Sequence, residues 1–123
     1  MIYTTRDTRT WLAHDGERMF LSSAQIVSNL IWDKGAFAVF EIVCTNPLDA
    51  RLVNGHWLFD IEVLAGKCGR PDSTSGQIVI ARFSECRVDK LWITGLDFDK
   101  NPEGAIEYHF SINSKFYIPV EEL

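Results

Sequence analysis

Arg51-Leu52-Val53-Asn54-Gly55-His56-Trp57-Leu58-Phe59-Asp60-Ile61-Glu62-Val63-Leu64 is the stretch on which the reading of the fold turns. An Asn-Gly pair between apolar runs signals a hairpin, because both residues tolerate the positive φ of a type I′ turn. The predicted arms are Arg51–Val53 and His56–Leu64. In the second arm Trp57, Phe59, Ile61 and Val63 share one face. His56, Leu58, Asp60, Glu62 and Leu64 share the other. A period of two is a strand signature, so the first face is predicted to be core, with Trp57 inside. Asp60 and Glu62, two residues apart, are then neighbours on the opposite surface.

The same signal recurs on both sides. His14-Asp15-Gly16-Glu17 separates Arg9–Ala13 from Arg18–Leu21, and Asp33-Lys34-Gly35 precedes Ala36–Cys44. Both faces of Ala36–Cys44 are apolar except for Glu41, which predicts a strand buried on both sides or in the middle of a sheet. Residues 24–31 read as a short helix capped by Ser22-Ser23 or as a strand entering the Asp33 turn. Their β-branched residues and Trp32 favour the strand. Asn46-Pro47 ends the Ala36–Cys44 strand. Gln77–Phe83 and Val88–Thr94 are predicted strands with a turn near Ser84-Glu85. Ile106–Asn113 alternates strictly and turns at Asn113-Ser114 into Lys115–Val120, which Pro119 marks as an edge or terminus. Gly66–Gly76 is the one long loop.

The expected class is mainly β: one domain, residues 1–123, an antiparallel meander forming a barrel or a two-layer sandwich, with at most one or two short helices. At 14.0 kDa, with 46% hydrophobic and 24% charged residues, the chain is long enough to bury a core without staples. It carries 4 Trp, 8 Phe and 3 Tyr, residues that favour strands and binding surfaces.

The net charge is −5 and the sequence pI about 5.1, which argues against non-specific nucleic-acid binding and permits a basic partner. From Asp97 onward, Asp97, Asp99, Glu103, Glu107, Glu121 and Glu122 face only Lys100 and Lys115. The 3 cysteines, Cys44, Cys68 and Cys86, include no Cys-x-x-Cys, so neither a disulfide framework nor a zinc site is expected. Cys44 reads as buried and Cys68 as exposed, which fits a reducing compartment. The first residues lack an apolar signal-peptide core, and no run is long enough to cross a bilayer. A cytoplasmic protein without membrane contact is expected.

Motifs of chemistry are sparse. His56, Asp60, Glu62, Glu41, Glu107 and His109 form the best polar cluster on strand segments. They read as a wet sheet face. If instead they lined a barrel, Glu41, Asp60, Glu62 and His109 would form a polar pocket. No His pair has ligand spacing, and no cofactor motif is present. Asp97-Phe98-Asp99-Lys100-Asn101 starts like a calcium loop, but Pro102 and Tyr108 stand where Gly and a bidentate Glu are needed. Gly66-Lys67-Cys68-Gly69-Arg70 lacks phosphate-loop spacing. Trp92, between Leu91 and Ile93, is core or a partner anchor.

From Gln77 to Ile118 the chain reads Gln-Ile-Val-Ile-Ala-Arg-Phe-Ser-Glu-Cys-Arg-Val-Asp-Lys-Leu-Trp-Ile-Thr-Gly, then an acidic turn and two closing strands. This third of the sequence resembles the strand rhythm of small bacterial immunity proteins. The resemblance implies a non-enzymatic protein that neutralises a cognate toxin. An acidic surface, here Asp97, Asp99, Glu103 and Glu107 with Trp92, would suit a basic toxin. The rival expectations are a lipocalin-like barrel with Glu41 or His109 inward, and a small enzyme using Asp60 or Glu62 as general base.

Overall fold

The computed structural model describes residues 8–33, 37–65, 77–95 and 106–119. Seven strands are present among them: β1 (Thr8–His14), β2 (Glu17–Phe20), β3 (Gln25–Asp33), β4 (Phe37–Cys44), β5 (Phe59–Ala65), β6 (Ile78–Thr94) and β7 (Glu107–Pro119). One helix, α1 (Pro47–Asn54), lies between β4 and β5. The strands form a single antiparallel sheet in the order β2-β1-β5-β6-β7-β4-β3. The two end strands, β2 and β3, do not pair with each other, so the sheet is curved but open.

The β1–β2 turn forms as its sequence dictates. Asp15 and Gly16 have φ of 50° and 79°, the double positive φ of a primed hairpin turn. Residues 25–33 are a strand, paired with β4 through its full length. β4 lies between β3 and β7, as its two apolar faces require. The remaining pairings are less local. β1 adds to β5 and β4 adds to β7, so two of the six pairings join segments distant in sequence.

The Asn54-Gly55 hairpin does not form. Arg51–Val53 belongs to α1, whose start is set by Asn46-Pro47. The Asn46 side chain accepts from the Leu48 N–H at 2.9 Å, and Pro47 occupies the first turn, where its missing N–H costs nothing. Gly55 ends the helix at φ −84°, with its N–H donating to Arg51 O at 2.9 Å. A Cβ there would lie 2.9 Å from that same oxygen, so glycine is needed for close approach and not for positive φ. Trp57 follows the helix, outside β5, and is 79% exposed. It is not core, because strand alternation begins only at Phe59.

Two other expected turns are absent. Residues 78–94 are one strand, with Glu85 at φ 53° inside it. The register with β5 slips there, between Phe59 and Ile61, and the Glu85 N–H is satisfied by Asp60 Oδ1 at 3.0 Å. This is a bulge, which bends a strand without ending it. Asn113-Ser114 also continues a strand, and the buried Ser114 hydroxyl donates to Ala38 O at 3.3 Å.

The inner face of the sheet holds the core. Leu12, Phe40, Ile42, Phe59, Ile61, Phe83, Phe110 and Ile112 meet there, and Ala50 and Val53 of α1 cover them. The Phe40 and Phe83 rings stack at 4.1 Å although β7 lies between their strands, which only a strongly curled sheet allows. Cys44 and Cys86 are buried free thiols. Burial, with the nearby Asp49 charge, pushes the Cys44 pKa up to about 12, and burial pushes Cys86 up as well.

Asp49, also buried, ties α1 to the β2–β3 connection. It accepts from the Ser23 N–H at 2.7 Å and the Ser23 hydroxyl at 2.6 Å. The same hydroxyl oxygen accepts from the Thr45 and Asn46 N–H groups at 3.1 and 2.9 Å. Ser22-Ser23 is thus not a helix cap but half of a knot between two chain reversals.

The Lys34-Gly35 turn, the Gly66–Gly76 loop with Cys68, and the Asp97–Asn101 segment lie outside the described residues, as do Asp97, Asp99 and Glu103. No helix among the described residues is long and apolar enough to cross a membrane.

Candidate functional site

The outer face of the sheet carries two polar clusters of different character. Register sets their membership, because residues directly opposite on antiparallel strands share a face.

The first cluster spans β2, β1, β5 and β6. Glu62 on β5 faces Trp11 on β1 and Arg82 on β6. Its side chain is 4% exposed. Arg18 Nε donates to Oε1 at 2.9 Å, and Arg82 donates through Nε and a terminal nitrogen to Oε2 at 3.1 and 2.9 Å. Burial alone would push the Glu62 carboxyl up. The hydrogen bonds from Arg18 and Arg82, and their charges, outweigh it and hold the pKa below the ordinary carboxylate value. Asp60, on the same face, caps the Glu85 bulge. An open cleft of about 990 Å³ lies over these residues, with Trp11 and the Asp15-Gly16 turn among its walls. A carboxylate held ionised by two arginines binds structure together. A general base needs the opposite, a pKa moved up towards working pH.

His56 is not part of this strand face. It precedes β5, its Nδ1–H donates to Leu52 O at 2.6 Å, and its ring meets His14 edge-on at 4.8 Å.

The second cluster lies on β4, β7 and the distal half of β6. Here Trp92 is opposite His109, Thr94 is opposite Glu107, and Glu41 is opposite Ser111. The Trp92 indole stacks on the His109 imidazole, with centroids 5.2 Å apart and planes at 15°. Glu41 Oε1 lies 3.2 Å from His109 Nδ1, and Thr94 Oγ1 lies 3.1 Å from Nε2. The carboxylate can only accept, so Nδ1 carries a proton, and the threonine hydroxyl, able to donate or accept, meets Nε2. Glu107 Oε2 is 4.0 Å from the same Nε2. Hydroxyl, imidazole and carboxylate stand in the order that orients a nucleophile in hydrolases. Here one face of the imidazole carries the indole, and the chain of bonds fixes the plane on which Trp92 rests.

Glu41 and His109 therefore point away from the core, and Phe40, Phe83 and Phe110 fill the interior that a lipocalin-like cavity would need. The four residues of the expected polar pocket divide between the clusters. Asp60 and Glu62 line the cleft, while Glu41 and His109 join Trp92 and Glu107. Arg18 and Arg82 carry no local motif, and their role emerges only from the register of β5 against its neighbours. Among the described residues no group of three His, Cys, Asp or Glu side chains is placed to hold a metal ion.

The two neighbours of Trp92 along β6 are apolar and exposed as well, on the opposite face of the strand. Leu91, Trp92 and Ile93 are 41%, 40% and 42% exposed. Leu91 is opposite the core residue Phe110, and Ile93 is opposite Tyr108, so they flank the inner face as Trp92 marks the outer one.

A solved crystal structure of an Hcp protein shares the fold. The TM-score is 0.51 at 7% sequence identity, covering 90% of this chain and 90% of that one. At that identity the likeness is one of fold alone. No family model matches the sequence, and no curated protein matches it significantly.

Proposed function

We propose that this protein is a non-enzymatic binding protein that recognises and inhibits a basic protein partner through the distal end of the β6–β7 hairpin, in the manner of an immunity protein and its toxin. The observation that carries the reading is the run Leu91-Trp92-Ile93, three large apolar side chains left exposed in succession on an ordered strand. Trp is enriched among the residues that anchor protein interfaces, and an indole already held flat on His109 loses little freedom on docking. Two described carboxylates stand beside it. Glu41 and Glu107 are within the cluster, and Asp97, Asp99 and Glu103 belong by sequence to the connection between β6 and β7. Such a surface attracts a cationic partner and speeds its encounter. The two free, buried thiols support a cytoplasmic setting.

The test is a Trp92→benzoylphenylalanine variant photo-crosslinked in the native cell, followed by kinetics on the purified pair. The expected partner is basic, and its association rate falls with salt and with the combined D97K, D99K and E103K reversal. Binding left unchanged by that reversal, or the absence of any crosslink from position 92, overturns the reading.

A further inference from the structure

Among the described residues β6 is paired on both sides only from Ala81 to Cys86. β5 accompanies it from Ile78 to Cys86, and the last pair is Phe59 with Cys86. Beyond Cys86, β7 continues beside it to Thr94, but among the described residues no strand lies on the β5 side. Every second residue of such an edge turns its N–H and C=O outward. The vacant position, residues 87–94, is about 27 Å long at ~3.4 Å per residue. Trp57 stands where the chain leaves the line of β5, with the Arg87 guanidinium 5.3 Å from its ring centroid.

Sheet edges are normally guarded by charge, proline or a bulge. Past its last pair with β4, at Ser114, β7 runs on from Lys115 to Pro119. β2 begins with Glu17 and Arg18. The β6 edge has Arg87, Asp89 and Lys90 at its near end, where a bulge sits between Val88 and Lys90. From Leu91 to Thr94 it has none of these devices, and three exposed apolar side chains instead.

We propose that this edge receives an extended segment of the basic partner as an added β-strand. The assignment rests on the binding reading above and specifies its geometry. Alternate residues of the incoming segment would be apolar, packing beside Leu91 and Ile93. The residues between them would face Trp92, whose indole favours a lysine or arginine. Cationic residues would also answer Glu107, on the same face as Trp92.

The probe is a capped peptide of alternating Lys and Val, with a Glu–Val peptide of the same length as control, read by amide hydrogen exchange resolved by NMR. Alternate amides between Arg87 and Thr94 are expected to slow at least about tenfold with the Lys–Val peptide and much less with the Glu–Val peptide. A guarded variant, Leu91→Lys with Ile93→Lys, should keep the native spectrum elsewhere and lose that protection. Peptide contacts without slowed amides along 87–94, or slowing along β2, β3 or 115–119, overturn the proposal. Protection that appears without peptide and tracks dimer formation in sedimentation also overturns it, in favour of a second copy of the chain. If the peptide fails while the Trp92 crosslink and charge reversal succeed, strand addition falls and the binding surface stands.

Discussion

β6 passes through two environments. From Ala81 to Cys86 it has a strand on each side, Phe83 and Cys86 buried in the core, and Arg82 paired with a buried carboxylate. From Arg87 to Thr94 it has one neighbour among the described residues, and its Leu, Trp and Ile side chains reach solvent. The amino-acid types differ little between the halves. The difference arises because β5 stops at Phe59, where α1 and Trp57 take the chain elsewhere. Apolar sequence thus serves cohesion in one half and is left available in the other. Burial must be read from pairing as well as from residue type.

The contrast can be broken most severely in the paired half. Phe83→Ala removes a ring stacked on Phe40 and tilted against Tyr117 and should cost about 3–5 kcal/mol, measured by urea unfolding. A loss below about 1 kcal/mol would mean that this half is not the cohesive one.

The Glu62 cluster sharpens the contrast on the outer face. Removing Arg18 and Arg82 together leaves a buried carboxylate without compensation, at a cost of about 3–5 kcal/mol near neutral pH. The wild-type pH dependence has a fixed sign. Because the folded pKa of Glu62 lies below its unfolded value, its contribution is fully present above about pH 4.3 and is lost as pH falls through the folded value. The double variant should lose that acid-side decline and show a flatter stability profile between neutral and acidic pH. An unchanged slope would place the pH dependence elsewhere.

The smallest effect belongs to the bare half. Trp92→Ala should shift stability by about 0.5 kcal/mol or less, since its ring is exposed and its strand is held by β7. A loss as large as that of Phe83→Ala would make Trp92 a structural residue and erase the distinction.

Much of this architecture is legible in the residues, and the exceptions share a cause. Asp15-Gly16 reads correctly because both residues take positive φ in the hairpin. Asn54-Gly55 carries an equal signal but ends a helix, and the deciding information lies upstream at Asn46-Pro47, a capping residue and a first-turn proline. Ser84-Glu85 and Asn113-Ser114 look like turns because they are polar. In the folded chain their polar groups are satisfied within strands, the Glu85 N–H by Asp60 and the Ser114 hydroxyl by Ala38. Alternation along β5 correctly sets Phe59 and Ile61 opposite Asp60 and Glu62. It says nothing of Arg18 and Arg82, whose approach depends on pairings between strands remote in sequence. The union of Glu41 and His109 with Trp92 and Glu107 likewise follows from the β4–β7 and β6–β7 registers, which no local pattern encodes.

The Ser23 hydroxyl serves Asp49, Thr45 and Asn46 at once, and so joins two chain reversals at a single atom. One residue inserted into either reversal would slide that atom away from all three. Length variation is thereby shut out of this corner of the molecule. Grafted epitopes and tags belong instead at self-contained reversals such as Asp15-Gly16, where added chain would disturb only its own hairpin.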